Sequence, residues 1–117
     1  MKQFETAAAQ GEISIRRIAA LPKGVKPMTA EAGAYIIGHS ETGHHHVMTM
    51  DRAKVFEATD APAGMRVLYA ILEAPNTLEH QRPHDTHEAI QFQPGIYEFR
   101  SGREFDHYAE LARKQAD

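Results

Sequence analysis

Turn signals cut this chain into pieces too short to be ordinary helices. Leu21-Pro22-Lys23-Gly24, Ser40-Glu41-Thr42-Gly43, Asp60-Ala61-Pro62-Ala63-Gly64 and Gln93-Pro94-Gly95 each combine residues that fix or free the backbone where a chain reverses. Between them stand short apolar or alternating runs, which read as strands. Residues 12–18 make an imperfect first strand. Residues 34–39 and 44–50 pair as a hairpin around residues 40–43, where Gly43 can take a positive φ. Residues 55–58 are a weaker strand, and residues 65–73, the most hydrophobic stretch, are the core strand. Residues 76–80 add a short strand, and residues 89–92 and 96–100 form a second hairpin around Gln93-Pro94-Gly95. The expected fold is mainly β, a small single-domain antiparallel barrel or sandwich.

The two ends show other patterns. From Glu104 the period changes: Phe105, Tyr108, Ala109 and Ala112 fall at i, i+3, i+4 and i+7, and Glu110 with Lys114 makes an i, i+4 pair, which predicts a short C-terminal helix. Residues 1–10 hold one large apolar anchor, Phe4, and read as an arm that needs a surface to lie against. The domain organisation expected is therefore an arm over 1–10, a β-domain over 11–103, and a helix over 104–117 packed on the domain or on a neighbour. A chain of 117 residues, 42% hydrophobic, supports one core.

Cysteine is absent, which removes disulfide frameworks, zinc knuckles and thiol nucleophiles and favours an intracellular or virion setting. A net charge of −3 with scattered Lys and Arg gives no electrostatic footprint for nucleic acid. No apolar run approaches the roughly 20 residues that cross a bilayer, so no membrane partner is expected.

Every histidine except His107 lies in two stretches: Gly38-His39-Ser40-Glu41-Thr42-Gly43-His44-His45-His46, and His80 through His87. If the strands flanking residues 40–43 pair directly, His39 lies opposite His44, and alternation puts His46 on the same face with His45 on the other. Three imidazoles on one face can hold zinc or another divalent transition metal and leave positions open for water or substrate. A one-residue slip in register would swap the faces. The second stretch reads as a loop broken by Pro83. Its histidines and carboxylates, His80 and Glu88 among them, can supply a further ligand or an acceptor that fixes a tautomer. The competing reading is a polar hairpin tip and a solvated loop, with His39, His44, His46 and His80 making ordinary hydrogen bonds.

Other catalytic constellations are weak. Ser14, Ser40 and Ser101 have no nucleophile-elbow context, and no Gly-rich run resembles a phosphate loop. Glu73, Glu79, Glu88 and Glu98 are dispersed candidates for a base in a barrel mouth, and Met48, Met50 and Met65 read as core filler.

Two resemblances extend these readings. The histidine hairpin followed by Pro94-Gly95 and a strand is similar to part of the cupin pattern, with His44 and His46 standing for the His-x-His pair. No Glu follows that pair at the cupin spacing, and no His follows Pro94-Gly95. That resemblance implies a β-barrel metal-binding protein or small metalloenzyme. A second resemblance spans residues 11–106: Gly11-Glu12-Ile13-Ser14-Ile15 with Leu21-Pro22, the stretch from Gly38 to His46, Leu78-Glu79-His80 through His87-Glu88-Ala89-Ile90, and Pro94-Gly95-Ile96-Tyr97-Glu98 ending in Arg103-Glu104-Phe105. Together these look like a group of short proteins encoded in tailed-phage, prophage and bacterial genomes. This implies a non-enzymatic structural protein of the virion, such as a capsid cement (decoration) protein. Its partners would be capsid subunits or its own copies in a homo-oligomer assembled in the host cytoplasm.

Overall fold

The computed structural model describes residues 2–5, 7–10, 13–38, 46–49, 51–80 and 89–102. The helix expected over 104–117, and His39 and His44, lie outside these residues. The described chain is entirely strands and connections: β1 (Lys2–Gln3), β2 (Ala7–Gln10), β3 (Ile13–Ile18), β4 (Val25–Pro27), β5 (Ala34–Gly38), β6 (His46–Thr49), β7 (Ala53–Ala58), β8 (Met65–Leu72), β9 (Asn76–His80), β10 (Ile90–Phe92) and β11 (Gly95–Gly102). They form a five-stranded sheet in the order β1-β10-β9-β6-β5 and a six-stranded sheet in the order β2-β3-β11-β8-β7-β4. Every pairing of these strands is antiparallel except that of β1 with β10.

Alternation explains most of the stacking. In β3, Ile13 and Ile15 are buried while Ser14 and Arg16 are exposed, so the strand turns one apolar face inward. β8 lies between β11 and β7. Its inner residues Leu68, Ala70 and Leu72 join the core, while Val67 and Tyr69 on the outward face are also buried. A strand covered on both sides reads as a continuous apolar run, which is why residues 65–73 stand out in the sequence. The five-stranded sheet contributes Tyr35, Ile37, Met48, Leu78, Ile90 and Phe92 to the same core. The turn at residues 60–64 forms where its Pro and Gly predict it, with Met65 N donating to Pro62 O at 2.9 Å and Gly64 at φ 81°.

The amino-terminal segment lies against its own chain. β1 extends the five-stranded sheet, β2 extends the six-stranded one, and Phe4 between them enters the core. Its ring sits 5.1 Å from Phe92 and 5.0 Å from Tyr97, centroid to centroid. Although the chain crosses from sheet to sheet here, the barrel alternative is not realised. No strand pair joins the two sheets among the described residues, and the architecture is an open sandwich.

The second expected hairpin is also corrected. β10 pairs with β9 and β1, whereas β11 pairs with β3 and β8. Gln93-Pro94-Gly95 is therefore a crossing between sheets. Its carbonyls are held from the far side: the Tyr97 hydroxyl donates to Gln93 O at 2.7 Å, and Arg17 donates to Pro94 O at 2.9 Å. The same Arg17 guanidinium lies 5.7 Å from the centre of the Tyr97 ring, within cation–π range.

Candidate functional site

The hairpin of β5 and β6 keeps the expected register at its base and changes it near its tip. Ala34 faces Thr49, Tyr35 faces Met48 and Ile36 faces Val47, but a bulge then sets Gly38 opposite His46. A bulge adds a residue to one strand and re-aims the side chains beyond it, so pairing of His39 with His44 cannot be extrapolated from the base. His46 is in turn the register partner of His80 on β9. Gly38, His46 and His80 thus form one cross-strand row. Both histidine-rich segments, residues 39–45 and 81–88, begin at this end of the five-stranded sheet.

His46 shares the inward parity of Met48 and is only 8% exposed. Its ring lies against the bare backbone of Gly38. A methyl group there would come within 3.2 Å of His46 Cδ2 and 2.6 Å of Ile13 Cδ1. Glycine at 38 leaves the space that the imidazole and the opposite sheet fill together. Among the described residues no three His, Asp or Glu side chains gather at metal-binding distance. Of the four sequence candidates, the structure places the His46 side chain and the His80 backbone, and His39 and His44 lie outside the described residues.

Arg66 clamps the sandwich at this end. From β8 it reaches across to β5, donating to Ile36 O at 3.2 Å and Ile37 O at 3.4 Å, while its Nε binds Glu57 at 3.1 Å. These carbonyls lie at the bulge on an edge strand, and Arg66 supplies side-chain donors to both. Beside Arg66 and Glu57 lies a cleft of about 190 Å3, also lined by Lys26, Thr59 and Met65. That is smaller than the roughly 300 Å3 at which organic-ligand pockets begin. At the far end of β9, Asn76 holds the same sheet in register: its Nδ2 donates to Thr49 O at 3.0 Å and its Oδ1 accepts from Thr49 Oγ1 at 3.2 Å. Neither Arg66 nor Asn76 carries a motif that singles it out in sequence.

The carboxylate candidates do not join this row. Glu73 and Glu79 are not buried in it, and Glu88 lies outside the described residues. Glu98 is 4% exposed but belongs to the outward face of the six-stranded sheet, in register with Arg16 and Tyr69. Its Oε1 accepts from Arg16 Nε at 2.9 Å and Arg100 Nε at 2.8 Å. Burial pushes the Glu98 carboxyl up, but the hydrogen bonds and charges of the two arginines outweigh it and hold the group below the usual carboxylate range. Burial, and then the neighbouring Glu98 charge, push the Tyr69 hydroxyl up. The cluster ties β3, β11 and β8 together from outside.

This arrangement makes stability depend on pH. Glu98 is depressed in the folded chain, so its stabilisation is complete above the unfolded carboxyl pKa of about 4.3 and fades as pH falls through the lower folded value. Glu98→Gln is expected to cost about 1–2 kcal/mol at pH 7. That difference shrinks towards zero in strong acid. Urea unfolding of both proteins at pH 7 and pH 3 reads it, and an equal gap at the two pH values would refute the electrostatic account.

No match to this chain was found among curated proteins or solved structures. The family comparison gives a match that covers the chain from within β2 to the end of β11 and includes the whole Gly38–His46–His80 row. It is the model of a domain of unknown function, DUF8820, matched over residues 9–102, and the chain belongs to that family.

Proposed function

We propose that this protein binds a divalent transition metal, zinc being the natural choice, at the end of its five-stranded sheet where His46 pairs with His80. The observation that carries the reading is the cross-strand row of Gly38, His46 and His80, from which both histidine-rich segments depart. Cross-strand neighbours on one face stand about 5 Å apart, a spacing over which two imidazoles can share an ion. The ligands proposed are His46 together with the histidines that the sequence puts nearest to it along the chain and across the strand pair, His39, His44 and His80. Neutral imidazole is a favoured ligand for zinc, and four protein nitrogens complete its tetrahedral shell. The His46 ring is largely buried and lies against the Gly38 backbone, and packing around a ligand side chain fixes its orientation.

The test is native mass spectrometry of untagged protein, before and after chelation and zinc replacement. One zinc per chain is expected, lost on chelation and regained afterwards. His46→Ala and His80→Ala, each shown to be folded, should bind at least tenfold more weakly. A wild-type chain that takes up no zinc, or alanine variants that retain full affinity, would refute the reading.

The other reading is a structural component of an assembled particle, such as a capsid decoration protein. It draws on the resemblance over residues 11–106, and its physical support is the edge position of β2, which suits association between copies.

A further inference from the structure

A two-sheet sandwich has four edges, and an edge strand offers unpaired N–H and C=O groups to any other strand. Three of the edges here are blunted. β5 carries the bulge between Ile36 and Gly38, and Arg66 covers the Ile36 and Ile37 carbonyls. β4 is three residues long and contains Lys26 and Pro27, the latter without an N–H. β1 is only two residues, Lys2–Gln3. β2 is different: Ala7-Ala8-Ala9-Gln10 has no charge, no proline and no register shift, and among the described residues it pairs on one side only, with β3. Ala8 packs against the core while Ala7 is exposed. No side chain larger than a methyl stands at the first three positions to hinder a strand laid alongside.

We infer that β2 is an interaction edge whose occupant is β2 of a second copy of this chain, joining two six-stranded sheets into one continuous sheet across a twofold axis. This goes beyond the metal reading and does not depend on it. A short uncharged strand is its own complement when paired antiparallel, because each copy presents the same row of donors and acceptors. A twofold axis perpendicular to the sheet keeps both cores on the same side, so residues of like parity must face each other. Centred on Ala8, that register sets Ala7 opposite Ala9 of the partner subunit, and Ala9 opposite Ala7. In register, Ala7 is the neighbour of Arg16 and Ala9 that of Ser14, both exposed on β3.

The register makes a charge test possible with the full chain. Sedimentation equilibrium over a range of concentrations should show a monomer–dimer equilibrium for the unmodified protein. In Ala7→Lys/Ala9→Lys every new lysine faces a lysine of the partner, and the dissociation constant should rise at least tenfold. In Ala7→Lys/Ala9→Glu every lysine faces a glutamate, and the dimer should persist. Both variants place long polar side chains on β2, so a mere loss of folding affects them alike, and circular dichroism confirms that each is folded. A monomer at every concentration would overturn the inference, and so would equal dissociation constants for the two double variants.

Discussion

Phe92→Ala is expected to lower the unfolding free energy by about 3–5 kcal/mol, a large part of the roughly 5–15 kcal/mol typical of a single domain. Phe92 is fully buried, with ring centroids of Phe4 at 5.1 Å, Tyr97 at 4.9 Å and Phe99 at 5.9 Å. Truncation leaves a ring-sized hole whose walls are poorly able to close. Tyr97 is tethered by its hydroxyl to Gln93 O, Phe99 is fixed in the middle strand between β3 and β8, and Phe4 is the residue that carries the chain from one sheet to the other. The cost includes both lost transfer energy and a persistent cavity, and it falls on the three-residue strand β10 that links β1 to β9. Phe92→Leu refills most of the volume and should cost about half as much. Equilibrium urea unfolding monitored by circular dichroism separates the two, and an alanine variant within about 1 kcal/mol of the unmodified protein would contradict the packing argument.

The features legible in the sequence are local. Residues 65–73 read as the core strand because a strand between two partners and between two covered faces needs apolar residues throughout. The bounds of 76–80 coincide with those of β9, and the hairpin of 34–39 with 44–50 has the observed register at its base. The features that are not legible depend on partners distant in sequence. Gln93-Pro94-Gly95 has the chemistry of a reversal, and the chain does turn there. Whether the next strand returns to the same sheet is decided by Ile96 meeting Ile18 and Ile71, which no local signal records. β4 is hidden because its three residues include Pro27, a residue that argues against a strand except at an edge. The candidate site shows the same division. The two histidine stretches are visible at once, but the bulge that sets His46 against Gly38, and the pairing of His46 with the distant His80, are tertiary facts.

Gly38→Ala tests that junction, with an expected cost of about 1–3 kcal/mol together with weakened zinc binding. Gly38 is not among the residues with positive φ, so alanine meets no backbone penalty and should even gain slightly through the unfolded chain. The loss is therefore steric: the new methyl lies 2.6 Å from Ile13 Cδ1 and 3.2 Å from His46 Cδ2. Ile13 is held in the core at 3% exposure and can retreat only by disturbing its own packing. Ile13→Val removes the clashing Cδ1 and alone should cost about 0.5–1.5 kcal/mol. Combined with Gly38→Ala it should cost less than the sum, because the methyl then occupies space the valine vacates. The imidazole contact is untouched by that rescue. The double variant should regain stability while zinc affinity stays below that of the unmodified protein, since the His46 ring must still give way to the methyl. Additive unfolding free energies would remove Ile13 from the account. Full zinc affinity in Gly38→Ala would show that the orientation of His46 over Gly38 has no part in binding the ion.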